Sequence, residues 1–67
     1  MIKEIKDLIG KLKTMSMEKL SSGDFDSYMD MLSDLTFLKN SLSYNENELC
    51  MNLEVQDVLS KYSGVLA

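Results

Sequence analysis

The stretch Ser21-Ser22-Gly23-Asp24 separates two long segments whose apolar residues recur at helical spacing. Gly23 suits the left-handed turn that ends a helix, and Asp24 or Asp26 can cap the start of the next one. Because the break is so short, the two helices are expected to fold back on each other. The sequence therefore predicts an antiparallel helical hairpin with these apolar positions on its inner faces: Ile2, Ile5, Leu8, Ile9, Leu12, Met15 and Leu20, then Phe25, Tyr28, Leu32, Leu35, Leu38 and Leu42.

A third helix is predicted after the hairpin. Either Ser43 with Glu46 or Asn45 with Glu48 has the spacing of a capping box, which starts a helix. Gly64 is a candidate C-cap, with Val65 and Leu66 folding back or fraying after it. The predicted class is all-α, as one domain over residues 1–67 with helices at about 2–20, 25–43 and 46–63.

The apolar pattern of this third segment fits two kinds of secondary structure. As a helix, it places Met51, Val55, Val58, Leu59 and Tyr62 on one side. As a strand, its apolar residues would alternate with polar ones from position 49 to position 56. Helix is preferred because Leu, Met, Glu and Gln favour it and no second strand is visible.

The small size of the chain predicts a need for outside stability. A domain near 67 residues buries only about 60% of the surface that its unfolded chain exposes, and disulfides, a metal or a partner usually compensate. Cys50 is the single cysteine and there is no histidine, so neither an internal disulfide nor a zinc site is expected. We expect a partner chain, either another protein or a second copy, and no cofactor. Cys50 is expected to be a buried or half-buried apolar residue.

Composition argues against several classes of function. Without histidine there is no base for a serine nucleophile, and three isolated glycines do not make a phosphate loop. The net charge of -4 and the lack of arginine disfavour nucleic-acid binding. No apolar run approaches the roughly 18 residues of a membrane span, the start lacks a signal peptide, and a lone thiol fits a reducing compartment. The sequence predicts a cytoplasmic protein that is not an enzyme.

Charge is distributed unevenly along the chain. Residues 1–23 carry five lysines and three acidic residues, whereas the remainder carries two lysines and eight acidic residues. Asp26, Asp30 and Asp34 follow one another at four-residue spacing on the second helix. We expect this aspartate stripe to face the lysines of the first helix, the alternative being a basic partner surface.

Some apolar residues exceed what a hairpin needs to bury. Met29 widens the apolar arc of the second helix. Phe37 falls on the face of Asp30 and Asp34, where the third helix, the C-terminal tail or a partner can cover it. Gly10 lies inside the first helix, where it either marks the close approach of another helix or is simply tolerated. The residues predicted to bind a partner are Met29, Phe37, Leu49 and Leu53.

Residues 11–42 read KLKTMSMEKLSSGDFDSYMDMLSDLTFLKNSL, with a Lys-Leu-Lys edge, a Gly-Asp break, Tyr28 and a leucine-containing amphipathic helix. This stretch resembles the small co-chaperones of type III secretion needle subunits, the YscE/PscE-like proteins. The resemblance implies a cytosolic helical hairpin that binds a helical-repeat chaperone and helps to keep the needle subunit soluble before export. The segment after Ser43 departs from this pattern, because a bare hairpin needs no third helix.

Two other classes of function remain open from the sequence. Abundant Lys, Asn, Met and Ser indicate AT-rich coding, and together with the aspartate stripe they fit a small acidic phage or mobile-element protein that inhibits a host factor. The third class is a helical domain that associates only with itself.

Overall fold

The computed structural model describes residues 1–66 and consists of five helices, with no strand in that range. The all-α prediction is confirmed, and α1 and α2 make the most extensive helix–helix contact of the fold, as the hairpin requires. Ala67, the last residue of the predicted domain, lies outside the described residues. The helices are α1 (Ile2–Ser21), α2 (Phe25–Ser41), α3 (Glu46–Met51), α4 (Leu53–Lys61) and α5 (Ser63–Leu66).

The hairpin turn has the local chemistry that the sequence predicts. Gly23 has a φ of 79°, the left-handed region that side chains disfavour. Its N–H donates to the Leu20 carbonyl at 3.1 Å, and the Asp24 N–H donates to the Lys19 carbonyl at 3.0 Å, which together make a Schellman motif. Asp24 then caps α2, since its Oδ1 accepts from the Ser27 N–H at 3.2 Å. Hydrogen bonding to Ser27, through its side chain and its backbone N–H, lowers the pKa of the Asp24 carboxyl.

The second predicted capping box starts α3. Asn45 Oδ1 accepts from the Glu48 N–H at 2.9 Å, and Glu48 Oε1 accepts from the Asn45 N–H at 3.2 Å. The helix α2 ends two residues earlier than predicted, and a turn over residues 42–44 connects it to the capping box. The prediction that the third segment is helical is thus confirmed, and the strand alternative is wrong.

That segment is not one helix, because Asn52 divides it. Asn52 has extended backbone angles of φ -85° and ψ 110°, and its side chain caps α4 by accepting from the Val55 N–H at 3.1 Å. On a continuous helix, Leu49 and Val55 would point about 120° apart. The break rotates α3 relative to α4. As a result, the side chains of Leu49 and Val55 are both fully buried, while Met51 is 83% exposed. The predicted face is therefore wrong at Met51.

One apolar core joins the helices. Leucine side chains dominate it, and burying each one fully contributes roughly 1.5–3 kcal/mol. Half-buried residues, Val65 among them, pack against its edge. The C-terminal turn differs from the prediction, since α4 ends at Lys61 and Gly64 lies inside α5. The core residues are Ile5, Leu8, Ile9, Leu12, Leu35, Leu38, Leu49, Val55, Leu59 and Tyr62.

Candidate protein-binding surface

The outward face of α2 carries an open groove of about 470 Å³. Its residues recur at the three- and four-residue steps that align side chains along one helix face. Met29 is 58% exposed at one end of the groove. The Thr36 hydroxyl donates to the Leu32 carbonyl of its own helix at 3.0 Å, which satisfies its donor and lowers the polarity of the groove's centre. The groove is lined by Met29, Leu32, Ser33, Thr36, Phe37 and Asn40.

Two of the four residues predicted to bind a partner meet in this groove. Met29 and Phe37 are eight residues apart, which brings them to within about 80° of each other around the helix. Phe37 is half-buried and also packs against the edge of the core. The fold thus covers part of the ring, as one interpretation of Phe37 expects, and leaves another part in the groove, where contact with a partner stays a prediction. Leu32, assigned to the hairpin core from its spacing, lines the groove as well.

The other two predicted residues separate. Leu49 is fully buried in the core, because the break at Asn52 turns α3 inward. Its predicted availability to a partner is corrected, since the side chain is enclosed by the fold itself. Leu53, in the first turn of α4, is 79% exposed, and Met51 on the other side of Asn52 is 83% exposed. These two side chains make a second exposed apolar site, which the sequence placed only at Leu53.

The aspartate stripe pairs with α4 instead of α1. Lys61 Nζ donates to Asp30 Oδ2 at 2.6 Å and to Asp34 Oδ2 at 2.8 Å. The Tyr62 hydroxyl donates to the same Asp34 oxygen at 2.5 Å. In residues 1–66, no ion pair joins an α1 lysine to an α2 aspartate. The expectation that the stripe faces the lysines of α1 is therefore wrong, and these contacts tie the end of α4 to α2.

The pKa values of the two donors to Asp30 and Asp34, Lys61 and Tyr62, differ from their ordinary values. Hydrogen bonds to Asp30 and then Asp34 raise the pKa of the Lys61 ammonium above its usual range. Burial and the hydrogen bond to Asp34 raise the pKa of Tyr62 from 10.0 to about 12. Both groups stay protonated at neutral pH. Asp34 is thereby held in a site where only 17% of its side chain is exposed, whereas Asp26 remains exposed.

Other candidate chemistry is sparse. Cys50 is exposed, which corrects the expectation of a buried or half-buried residue. Residues 1–66 contain no group of three cysteine, aspartate or glutamate side chains placed to hold a metal ion. In the same range, no helix has the length and apolar character needed to cross a membrane.

Models of known protein families, curated protein sequences and solved structures yield no match to this chain. The exposed surfaces of the fold are therefore the basis for a functional proposal.

Proposed function

We propose that this chain is a non-enzymatic interaction protein that binds one helix of a partner protein along the open face of α2. The main support is the groove between Met29 and Asn40, which leaves Met29 exposed although the core of the fold is complete without it. Contiguous exposed apolar surface of this kind is typical of protein-interaction sites.

The dimensions of the groove fit a helix as occupant. Met29 and Asn40 are eleven residues apart, a span of about 16 Å or three helical turns. Leu32 and Phe37 lie about 140° apart around α2 and form ridges on either side of the small residues Ser33 and Thr36. An amphipathic helix can place its apolar residues between such ridges, which is a common mode of recognition.

The resemblance of residues 11–42 supports a more specific proposal, since these residues include all of α2. In this proposal the chain is a cytoplasmic co-chaperone, and the occupant is a helix of a helical-repeat chaperone that binds a type III secretion needle subunit. The helices α3–α5 add to a hairpin of that kind and enclose Leu49 in the core. The outer face of α2 remains open for the chaperone.

An acidic inhibitor of a host factor is the less favoured alternative. That function would need Asp26, Asp30 and Asp34 free to meet a basic partner. Asp30 and Asp34 are instead paired with Lys61, and Asp34 also accepts from Tyr62. Lys61 thus compensates part of their charge within the chain, and Asp26 is the unpaired member of the stripe among residues 1–66.

The test is a calorimetric titration of the purified chain with a purified helical-repeat chaperone of needle subunits. Met29→Asp places a charge in the groove and is expected to weaken binding by at least about a hundredfold. Met17→Asp is the matched control, because Met17 is 57% exposed and lies on α1. Leu53→Asp tests the second exposed apolar site in the same way.

The outcomes separate the two levels of the proposal. A chaperone that does not bind the unmodified chain would refute the co-chaperone assignment. Equal binding by Met29→Asp and Met17→Asp would refute the α2 groove as the site. Circular dichroism of each variant shows whether the fold is retained, and Met29 is suited to this test because its side chain is mostly exposed.

A further inference from the structure

The outer face of α1 carries a second groove, which shares no residue with the groove on α2. It is an open groove of about 590 Å³ over Gly10, between α1 and Val65 of α5. Met15 and Val65 are half-buried and form its apolar walls, and Lys6 and Lys11 stand at its rim. The groove therefore combines an apolar interior with a positively charged edge.

Gly10 forms the floor of this groove, and nothing in the described fold requires glycine there. A Cβ atom at position 10 would meet no atom within 4 Å, and the residue lies in regular helix. Glycine inside a helix is less stable than alanine. The prediction that another helix approaches Gly10 is not met by any helix in residues 1–66. The missing side chain leaves space on an exposed face that a helix from another molecule can enter.

The two positive charges at the rim, Lys6 and Lys11, outnumber the single negative charge of the lining, Asp7. Neither Lys6 nor Lys11 forms an ion pair with a carboxylate in residues 1–66. Lys11 Nζ donates to the Val65 carbonyl at 2.8 Å, and a carbonyl oxygen carries no net charge. Asp7 is the acidic residue in the lining. The helix α1 holds five of the seven lysines of a protein whose net charge is -4.

We propose that this groove docks an acidic amphipathic helix of a partner protein. The glycine floor lets the incoming backbone come close, while Met15 and Val65 contact its apolar residues. Lys6 and Lys11 then pair with Asp or Glu on the edges of that helix. Charge complementarity selects an acidic helix over a basic one, because like charges across an interface are strongly disfavoured. This site is independent of the α2 groove, so either one can bind without the other.

The experiment titrates the isotope-labelled chain with two synthetic amphipathic helical peptides and monitors binding by NMR. Both have the same length and the same leucine face, with glutamate on the polar edges of one and lysine on those of the other. The glutamate peptide is expected to shift the amide signals of residues 6–15, and the lysine peptide is not. Gly10→Ala fills the floor while favouring the helix, and is expected to weaken binding of the glutamate peptide by about tenfold. Lys6→Glu with Lys11→Glu is expected to abolish it.

The controls distinguish a loss of binding at this groove from a folding defect, and binding at α1 from binding at α2. Met17→Ala changes an exposed residue of α1 outside the lining and should leave binding unchanged. A higher Tm of Gly10→Ala together with weaker binding would support the groove, since a folding defect cannot produce both. Equal shifts by the two peptides, or tight binding by Gly10→Ala, would overturn the proposal. Shifts confined to α2 would also overturn it, while supporting the α2 groove.

Discussion

Replacing Tyr62 by phenylalanine isolates the polar contact that ties α4 to α2. The ring is 6% exposed and stays in the core, while the hydroxyl loses its 2.5 Å hydrogen bond to Asp34. Hydrogen bonds to charged groups contribute about 1.5–3 kcal/mol. Because Lys61 continues to pair with Asp34 at 2.8 Å, we expect a loss at the lower end, about 1–2 kcal/mol at neutral pH.

The same substitution has a specific effect at alkaline pH. The pKa of Tyr62 is about 12 in the folded chain against 10.0 as the ordinary value, so the unfolded chain loses this proton first. The stabilisation is therefore complete below about pH 10 and is lost as pH rises through about 12. At about pH 11 the wild type should have lost about 1.4 kcal/mol from this group, a loss that Tyr62→Phe cannot show. The raised pKa of Lys61 adds a smaller loss in the same direction to both proteins.

Urea denaturation at about pH 8 and about pH 11 measures both effects. Tyr44→Phe is the control, since Tyr44 is 45% exposed and surface substitutions usually change stability by less than about 0.5 kcal/mol. A cost of Tyr62→Phe no larger than that of Tyr44→Phe at neutral pH would show that the hydrogen bond to Asp34 does not stabilise the fold. Equal losses of stability by the wild type and Tyr62→Phe between the two pH values would show that the pKa of Tyr62 is not raised in the folded chain.

Three further substitutions test other parts of the fold by the same urea denaturation. Asn52→Ala removes the cap of α4 and should cost about 1 kcal/mol, against less than about 0.5 kcal/mol for Met51→Ser beside it. Leu38→Ala empties a fully buried site and should cost about 2–5 kcal/mol; a smaller loss would show that the core there is loosely packed. Gly23→Ala forces a side chain into a φ of 79° and should cost about 1–2 kcal/mol, so an unchanged midpoint would contradict the left-handed turn.

The features that sequence predicted well are those made by neighbours along the chain. The turn at Gly23, the cap at Asp24 and the capping box at Asn45 depend on hydrogen bonds that span three to five residues. Such bonds are specified by residue type at fixed spacing. For the candidate site, the helical spacing of apolar residues identified Met29 and Phe37 as residues that the hairpin does not need to bury, and both line the groove.

The errors at Leu49 and Met51 share one physical origin, the assumption that a helical pattern continues unbroken. Leu49 and Met51 exchange their expected roles because Asn52 restarts the helix with a different rotation. An asparagine before a first turn containing Glu54 is a signal for such a restart, and the sequence contains it. The pattern nevertheless reads as a single helix, because Met51 and Val55 happen to be four residues apart.

By itself, the sequence determined an all-α chain, a tight hairpin turn at residues 21–24 and the start of α3, since local hydrogen bonds and apolar spacing settle these. The tertiary structure alone decided which partners the charged residues have. Lys61 and Asp30 are 31 residues apart, and the packing of α4 against α2 brings them together. The same packing leaves Gly10 and its lysines uncovered, because contact between distant segments depends on how the helices are rotated and not on their periodicity.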